Sequence, residues 1–198
     1  MNGSTLGRVT TRVPAKSSRL VPGALFGFLL ASRAWAVEVD HLEVATTKSA
    51  YSIDMSLRIS AAATNIIAVL TDFSYPDPVN PDVTRQEIVD VFGDVTRVRT
   101  EFEGCVLFVC REVELLQDVR VEGDEIYADI VPGGQSFRSG RLHWRVVDDG
   151  EGGSRIEFRA SMVHNFYVMP LIGEYLLRKR IRAALLESAE NLETAASR

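Results

Sequence analysis

The sequence predicts an α+β fold in which one antiparallel sheet of about seven strands curls around a long C-terminal helix, with a cavity between them. Two observations predict it. From Tyr51 to Val163 nearly every segment past one short helix alternates apolar and polar residues, and from Leu171 onward the apolar spacing changes to three or four. A sheet with a single apolar face must cover that face, and the last helix is the only predicted element long enough to do so.

The elements follow in order. Tyr51, Ile53, Met55, Leu57 and Ile59 alternate with Ser52, Asp54, Ser56, Arg58 and Ser60, the period of a strand with one buried face. Ser60 is placed to cap a short helix carrying Ile66, Ile67, Val69 and Leu70, which ends before a turn-rich segment with Pro76, Pro78 and Pro81. Six strands in meander order are then separated by turn signals at Gly93-Asp94, Gly123-Asp124, Gly133-Gly134 and 149–153. The last segment places Leu171, Ile172, Tyr175, Leu176, Ile181, Leu185, Ala189 and Leu192 on one helical stripe, against Arg178, Lys179, Arg180, Glu187 and Glu190. Pro170 fits the first turn of that helix. A strongly twisted sheet wrapped around one helix splays at its ends and leaves a pocket, the helix-grip arrangement.

At 46% hydrophobic and 25% charged residues, the 198-residue chain has the balance of a folded domain, which excludes disorder, collagen and a polytopic membrane protein. Its charge is segregated. Residues 1–36 hold five of the 22 basic residues and none of the 27 acidic ones, which leaves residues 37–198 at a formal −10. Such a body repels phosphates, so no nucleic-acid partner is expected. The first 36 residues have a basic stretch, an apolar run from Leu20 to Ala31, and the triplet Ala34-Trp35-Ala36, the order of a secretory signal peptide. The apolar run is shorter than the roughly 20 residues a spanning helix needs. Cleavage after Ala36 would leave residues 37–198 as one ligand-binding domain, periplasmic or secreted, starting at Val37.

Export implies an oxidising compartment, in which Cys105 and Cys110 are expected to form a disulfide. If they face each other across a hairpin, the register pairs Phe102 with Val113, Thr100 with Leu115, Thr96 with Val119 and Arg97 with Asp118, in agreement with the patterning of both strands. The alternative is two free buried thiols. A bridge there leaves Val106, Leu107, Phe108 and Val109 as an apolar tip that either folds over the cavity, makes transient membrane contact or meets a partner; alternatively they continue a buried strand.

Metal and cofactor chemistry finds no pattern. His41, His143 and His164 stand apart from any Cys, His or carboxylate at ligand spacing, so no metal is expected, and no dinucleotide, phosphate-loop or nucleophile-elbow motif calls for a cofactor. His143 alternates onto the outer face with Arg141 and Arg145. The predicted ligand lining of the inner face is Tyr51, Met55, Val98, Phe102, Leu115, Gln117, Ile130, Arg138, Trp144, Phe158 and Leu176, extended by Leu57, Leu142, Met162, Ile181 and Leu185. Pairing strands through their turns sets Val98 against Gln117, Gln117 against Ile130, and, if the loop at Gly133-Gly134 closes symmetrically, Ile130 against Arg138. Gln117 and Arg138 would then be the polar points of an apolar cavity. The same residues would equally build a filled core.

The element order, the segment Asp72, Phe73, Tyr75, Pro76, Asn80 and Pro81, Trp144 on the sixth of those seven strands, and the run Phe166 through Pro170, Leu171, Ile172 and Gly173 carry a resemblance. Over residues 37–198 the chain resembles the START-like (SRPBCC) superfamily, the polyketide cyclase/dehydrase and lipid transport group that also contains coenzyme Q-binding proteins. The resemblance implies a cavity for a hydrophobic ligand such as a lipid, quinone or polyketide, with catalysis in only some members. Where similar proteins commonly have Pro-Asp before the Phe, this chain has His164-Asn165, so no role carries over from that acid. The expectation is an exported, nonenzymatic carrier or sensor of a lipid-like small molecule. The alternative is a cyclase/aromatase-type enzyme, for which Glu87 and Arg138 are the candidate acid–base groups.

Overall fold

A computed structural model describes residues 37–105, 110–132, 136–150, 152–169 and 172–198, with the backbone of Val106 and Val109. The expected leader at 1–36, the tip residues Leu107 and Phe108, and Gly133-Gly134 lie outside the described residues. The order is β1 (Glu38–Thr46), β2 (Ala50–Ile59), α1 (Ala63–Leu70), β3 (Val83–Phe92), β4 (Val95–Val106), β5 (Val109–Glu122), β6 (Glu125–Ile130), β7 (Phe137–Asp148), β8 (Ser154–His164) and α2 (Ile172–Ala196). One antiparallel sheet runs β1-β2-β8-β7-β6-β5-β4-β3, so both edges come from the first half of the chain.

The sheet has eight strands rather than seven. β1 escapes the sequence pattern because only Leu42 and Val44 are buried in it and a register shift between Val39 and His41 breaks its alternation. The remaining strands follow their patterns. Gly93 and Gly123, both at φ 65°, turn the two tight Gly-Asp hairpins in the left-handed conformation that glycine adopts without a Cβ clash. Pairs Phe102–Val113, Thr100–Leu115, Thr96–Val119 and Arg97–Asp118 occur in the β4–β5 ladder, the last as an ion pair at 2.7 Å on the outer face.

Two local expectations are corrected. Ser60 does not cap α1: the N-cap is Ala62 with no side-chain cap, and the Ser60 amide donates instead to Oε1 of buried Glu193 on α2 at 3.1 Å. Ile172 and Tyr175 are exposed rather than on the buried stripe of α2. At 100° per residue the nine-residue step from Ile172 to Ile181 is a half turn, so these two cannot share a face.

The core lies on the inner face of the sheet, with Leu57, Ile59, Ile66, Val98, Ile126 and Val146 almost wholly enclosed. α2 closes it unevenly. Its buried residues are Ala189, Leu192, Glu193 and Ala196, all in the last third of the helix.

Candidate functional site

The inner face is built from rows of side chains that cross the strands. One row runs Val98, Gln117, Ile130 along β4, β5 and β6, as the register predicted. Continuing the β6–β7 ladder past Asp129–Arg141 brings Ile130 over Gly140, and the row goes on through Met162, Tyr51 and Thr46. Gly140 is needed there, because a Cβ would come within 2.7 Å of Ile130 Cδ1 and 2.8 Å of the Ser161 carbonyl oxygen. At the end of the row the Thr46 hydroxyl donates to the Glu174 carbonyl at 3.1 Å, which ties the start of α2 to edge strand β1.

Arg138 therefore does not share the row with Gln117, which corrects its predicted place. A register shift between Phe137 and Ser139 puts Arg138 at an irregularity and turns it outward, where its exposed guanidinium donates to Oδ1 of Asn165 at 2.9 and 3.1 Å. Tyr51, Met55, Val98, Phe102, Leu115, Gln117, Ile130, Trp144 and Phe158 all occupy the inner face. Leu176 is half-buried and stands apart from the core cluster, whereas Ile181 and Leu185 pack against it. Glu87 is on the outer face, hydrogen-bonded to Arg99 and Arg85, and those bonds hold its carboxyl below the usual carboxylate range.

The gap beside Gln117, bounded by Leu70, Phe73, Val119, Ile126, Ala128 and Trp144, measures about 30 Å³, room for a water and not for a lipid. The carboxamide oxygen of Gln117 has no hydrogen-bond partner among the described residues, which is costly for a buried acceptor. A wider, shallow groove of about 510 Å³ lies on the outer face around Ser52, Ser161, Arg141 and Arg159. Its arginines are ion-paired to Asp129 and Asp54, and the sheet separates it from the inner residues.

Sequence reasoning missed an aromatic group next to the front of α2. Phe137 and Phe166 meet edge to face at 6.2 Å, Tyr51 meets Phe137 at 6.4 Å, and His164 stacks on Phe166 at 4.2 Å. The signal was present in part: His164 continues the inward series Phe158, Ala160 and Met162 of β8, whereas Phe137 reaches the interior only through the register shift in β7. Burial pushes the Tyr51 hydroxyl pKa upward, and this hydroxyl donates to Met162 Sδ at 2.6 Å. Desolvation, the larger effect, pulls the His164 pKa down, although Nδ1 lies 2.9 Å from the Phe166 carbonyl oxygen.

Cys105 and Cys110 are directly opposed in the β4–β5 ladder and joined as a disulfide, with Cα atoms 4.0 Å apart. The side chains of Val106 and Val109 lie outside the described residues, as do Leu107 and Phe108, so the apolar tip stays an expectation. No described helix is long and apolar enough to cross a membrane.

A curled antiparallel sheet gripping a C-terminal helix over an apolar inner face is the START-like fold. The likeness to solved structures is one of fold. A START superfamily protein from Mycobacterium smegmatis superposes with a TM-score of 0.59 at 15% identity, covering 74% of this chain and 97% of that one. The Zhui aromatase/cyclase from Streptomyces sp. R1128 gives 0.62 at 13% identity, over 75% and 94% of the two chains. A STAR-related lipid transfer protein fragment from Xanthomonas axonopodis gives 0.53 at 14% identity, over 77% and 99%. No family model and no curated protein matches the sequence.

Proposed function

We propose that this chain is an exported carrier or sensor that takes up an uncharged, lipid-like molecule between the sheet and the front half of α2. The observation that carries this reading is the uneven grip of α2: none of its residues from Ile172 to Ser188 is fully buried, while the last third is locked. A lipid needs several hundred Å³, so the front half lifts from the sheet to admit it. Ligand methylenes then replace the contacts of Leu176, Ile181 and Leu185, each buried methylene contributing about 0.8 kcal/mol.

The polar chemistry of the inner face supports an uncharged ligand. With Arg138 turned outward, no free cation faces the interior among the described residues. Gln117 offers a carboxamide oxygen, which calls for a hydroxyl or N–H on the ligand. The carrier reading gains from the fate of the titratable groups: Tyr51 is engaged by Met162 and Glu193 by Ser60. A cyclase reading keeps one observation in its favour, the buried and predominantly neutral His164 imidazole beside Tyr51, which could take a proton from a bound substrate.

Native mass spectrometry of the exported chain, followed by titration with a panel of quinones, diacylglycerols, fatty acids and phospholipids, tests the proposal. The expected result is an apolar adduct and preference for uncharged, hydroxyl-bearing members. Failure to take up any member removes the carrier reading, and turnover of a polyketide that His164→Gln abolishes replaces it with the cyclase. N-terminal sequencing of the exported form is expected to begin at Val37, and a full-length cytosolic product contradicts export.

A further inference from the structure

We propose that the start of α2 is a docking surface for an anionic lipid bilayer. The feature is a run of exposed apolar side chains leading into the helix: Tyr167 is 79% exposed, Met169 56%, Ile172 62% and Tyr175 56%. Steps of three, four and three residues from Ile172 reach Tyr175, Lys179 and Arg182, which at 100° per residue lie on one outward face. Apolar and aromatic groups at one end of a helical face, followed by cations, form the pattern that settles into a lipid headgroup region.

The charges point to the kind of lipid. Residues 37–198 carry a formal −10, yet 178–182 hold Arg178, Lys179, Arg180 and Arg182. Arg180 is neutralised by Asp82. Among the described residues no carboxylate pairs with the other three: Arg178 lies over the Tyr175 ring at 5.9 Å, and Arg182 donates to the Leu42 carbonyl at 3.0 Å, so each keeps its charge. An acidic body meets an anionic surface favourably only through such a patch, which both attracts and orients it. A bilayer, unlike a protein groove, also accepts the four apolar side chains without a matching shape. This surface stands on exposure and charge alone, independently of whether a ligand enters the fold.

Co-sedimentation of the purified chain with vesicles of phosphatidylcholine alone, or of phosphatidylcholine with phosphatidylglycerol, tests it. Binding to the anionic vesicles is expected to be at least about tenfold stronger and to fall as salt screens the patch. Arg178→Glu with Lys179→Glu is expected to remove that preference, and Ile172→Ser with Tyr175→Ser to abolish sedimentation, both with unchanged thermal stability because the side chains are exposed. Lys179→Glu alone, at a side chain with no partner among the described residues, serves if a double variant fails to fold. Equal binding to both vesicles, no sedimentation with either, or capture only by an acidic protein overturns the proposal.

Discussion

The two ends of α2 lie over the same sheet and hold it differently. At the back, Leu192 and Ala189 are buried, Glu193 accepts from the Ser60 amide, the Asn65 amide donates to the Ala196 carbonyl at 3.1 Å, and Asn191 donates to the Val79 carbonyl at 3.1 Å. At the front the ties run sideways, from Thr46 and the Leu42 carbonyl of β1 and from Asp82, and no side chain is fully enclosed. The difference teaches that one helix does two jobs. Its back is packed into the core, and its front, with no fully buried side chain, is the part that the proposed uptake of a ligand requires to move.

The largest expected effect breaks the back. Leu192→Ala opens a cavity in packed core and should cost about 2–5 kcal/mol, whereas Leu176→Ala at the front should cost less than about 1 kcal/mol. Paired denaturant melts measure both, and equal losses would erase the contrast between the ends. Next in size is Gly140→Ala, whose new methyl group must displace Ile130 or the Ser161 backbone; it should destabilise by about 1–3 kcal/mol, read as a lower midpoint without a changed slope.

A pH series sharpens the same comparison at the front. His164 has its pKa lowered in the folded chain, mainly by desolvation, so below the ordinary imidazole value of about 6.5 the unfolded chain binds a proton that the folded chain resists. Stability from this group is present above that value and lost as pH falls below it. Thermal melts from pH 7.5 to 5.5 should fall less steeply in His164→Gln than in the natural chain, and parallel slopes would show that the imidazole is not desolvated. The smallest effect is expected at Arg138→Ala: within about 0.5 kcal/mol in stability, with no change in preference between anionic and uncharged amphiphiles. A selective loss for anionic ligands would return Arg138 to the interior.

Much of the fold was legible because strand alternation is a local signal. The Gly123-Asp124 turn set Gln117 against Ile130, and placing Cys105 opposite Cys110 across a hairpin set Val98 against Gln117, both from residues near one another in the chain. What failed depended on irregularity or on distance. The bulge in β1 hid a strand, and the one at Arg138 reversed a side chain that simple alternation placed inside. Ser60 looked like a helix cap because its long-range partner, Glu193, is 133 residues away. One apolar stripe cannot run the length of α2, because the five-residue step from Leu176 to Ile181 breaks the three-or-four spacing that keeps side chains on one helical face. The sequence also could not distinguish a lined cavity from a filled one, since packing density is a property of volume and not of pattern.

Native-state hydrogen exchange along α2 tests the central claim, that the front of the helix opens while the back holds. Amides in 176–186 are expected to exchange through local opening at least about tenfold faster than those in 187–196, a gap of at least about 1.4 kcal/mol, with the back exchanging only on global unfolding. Equal protection along the whole helix would contradict it, because a front that opens only when the protein unfolds cannot admit a ligand.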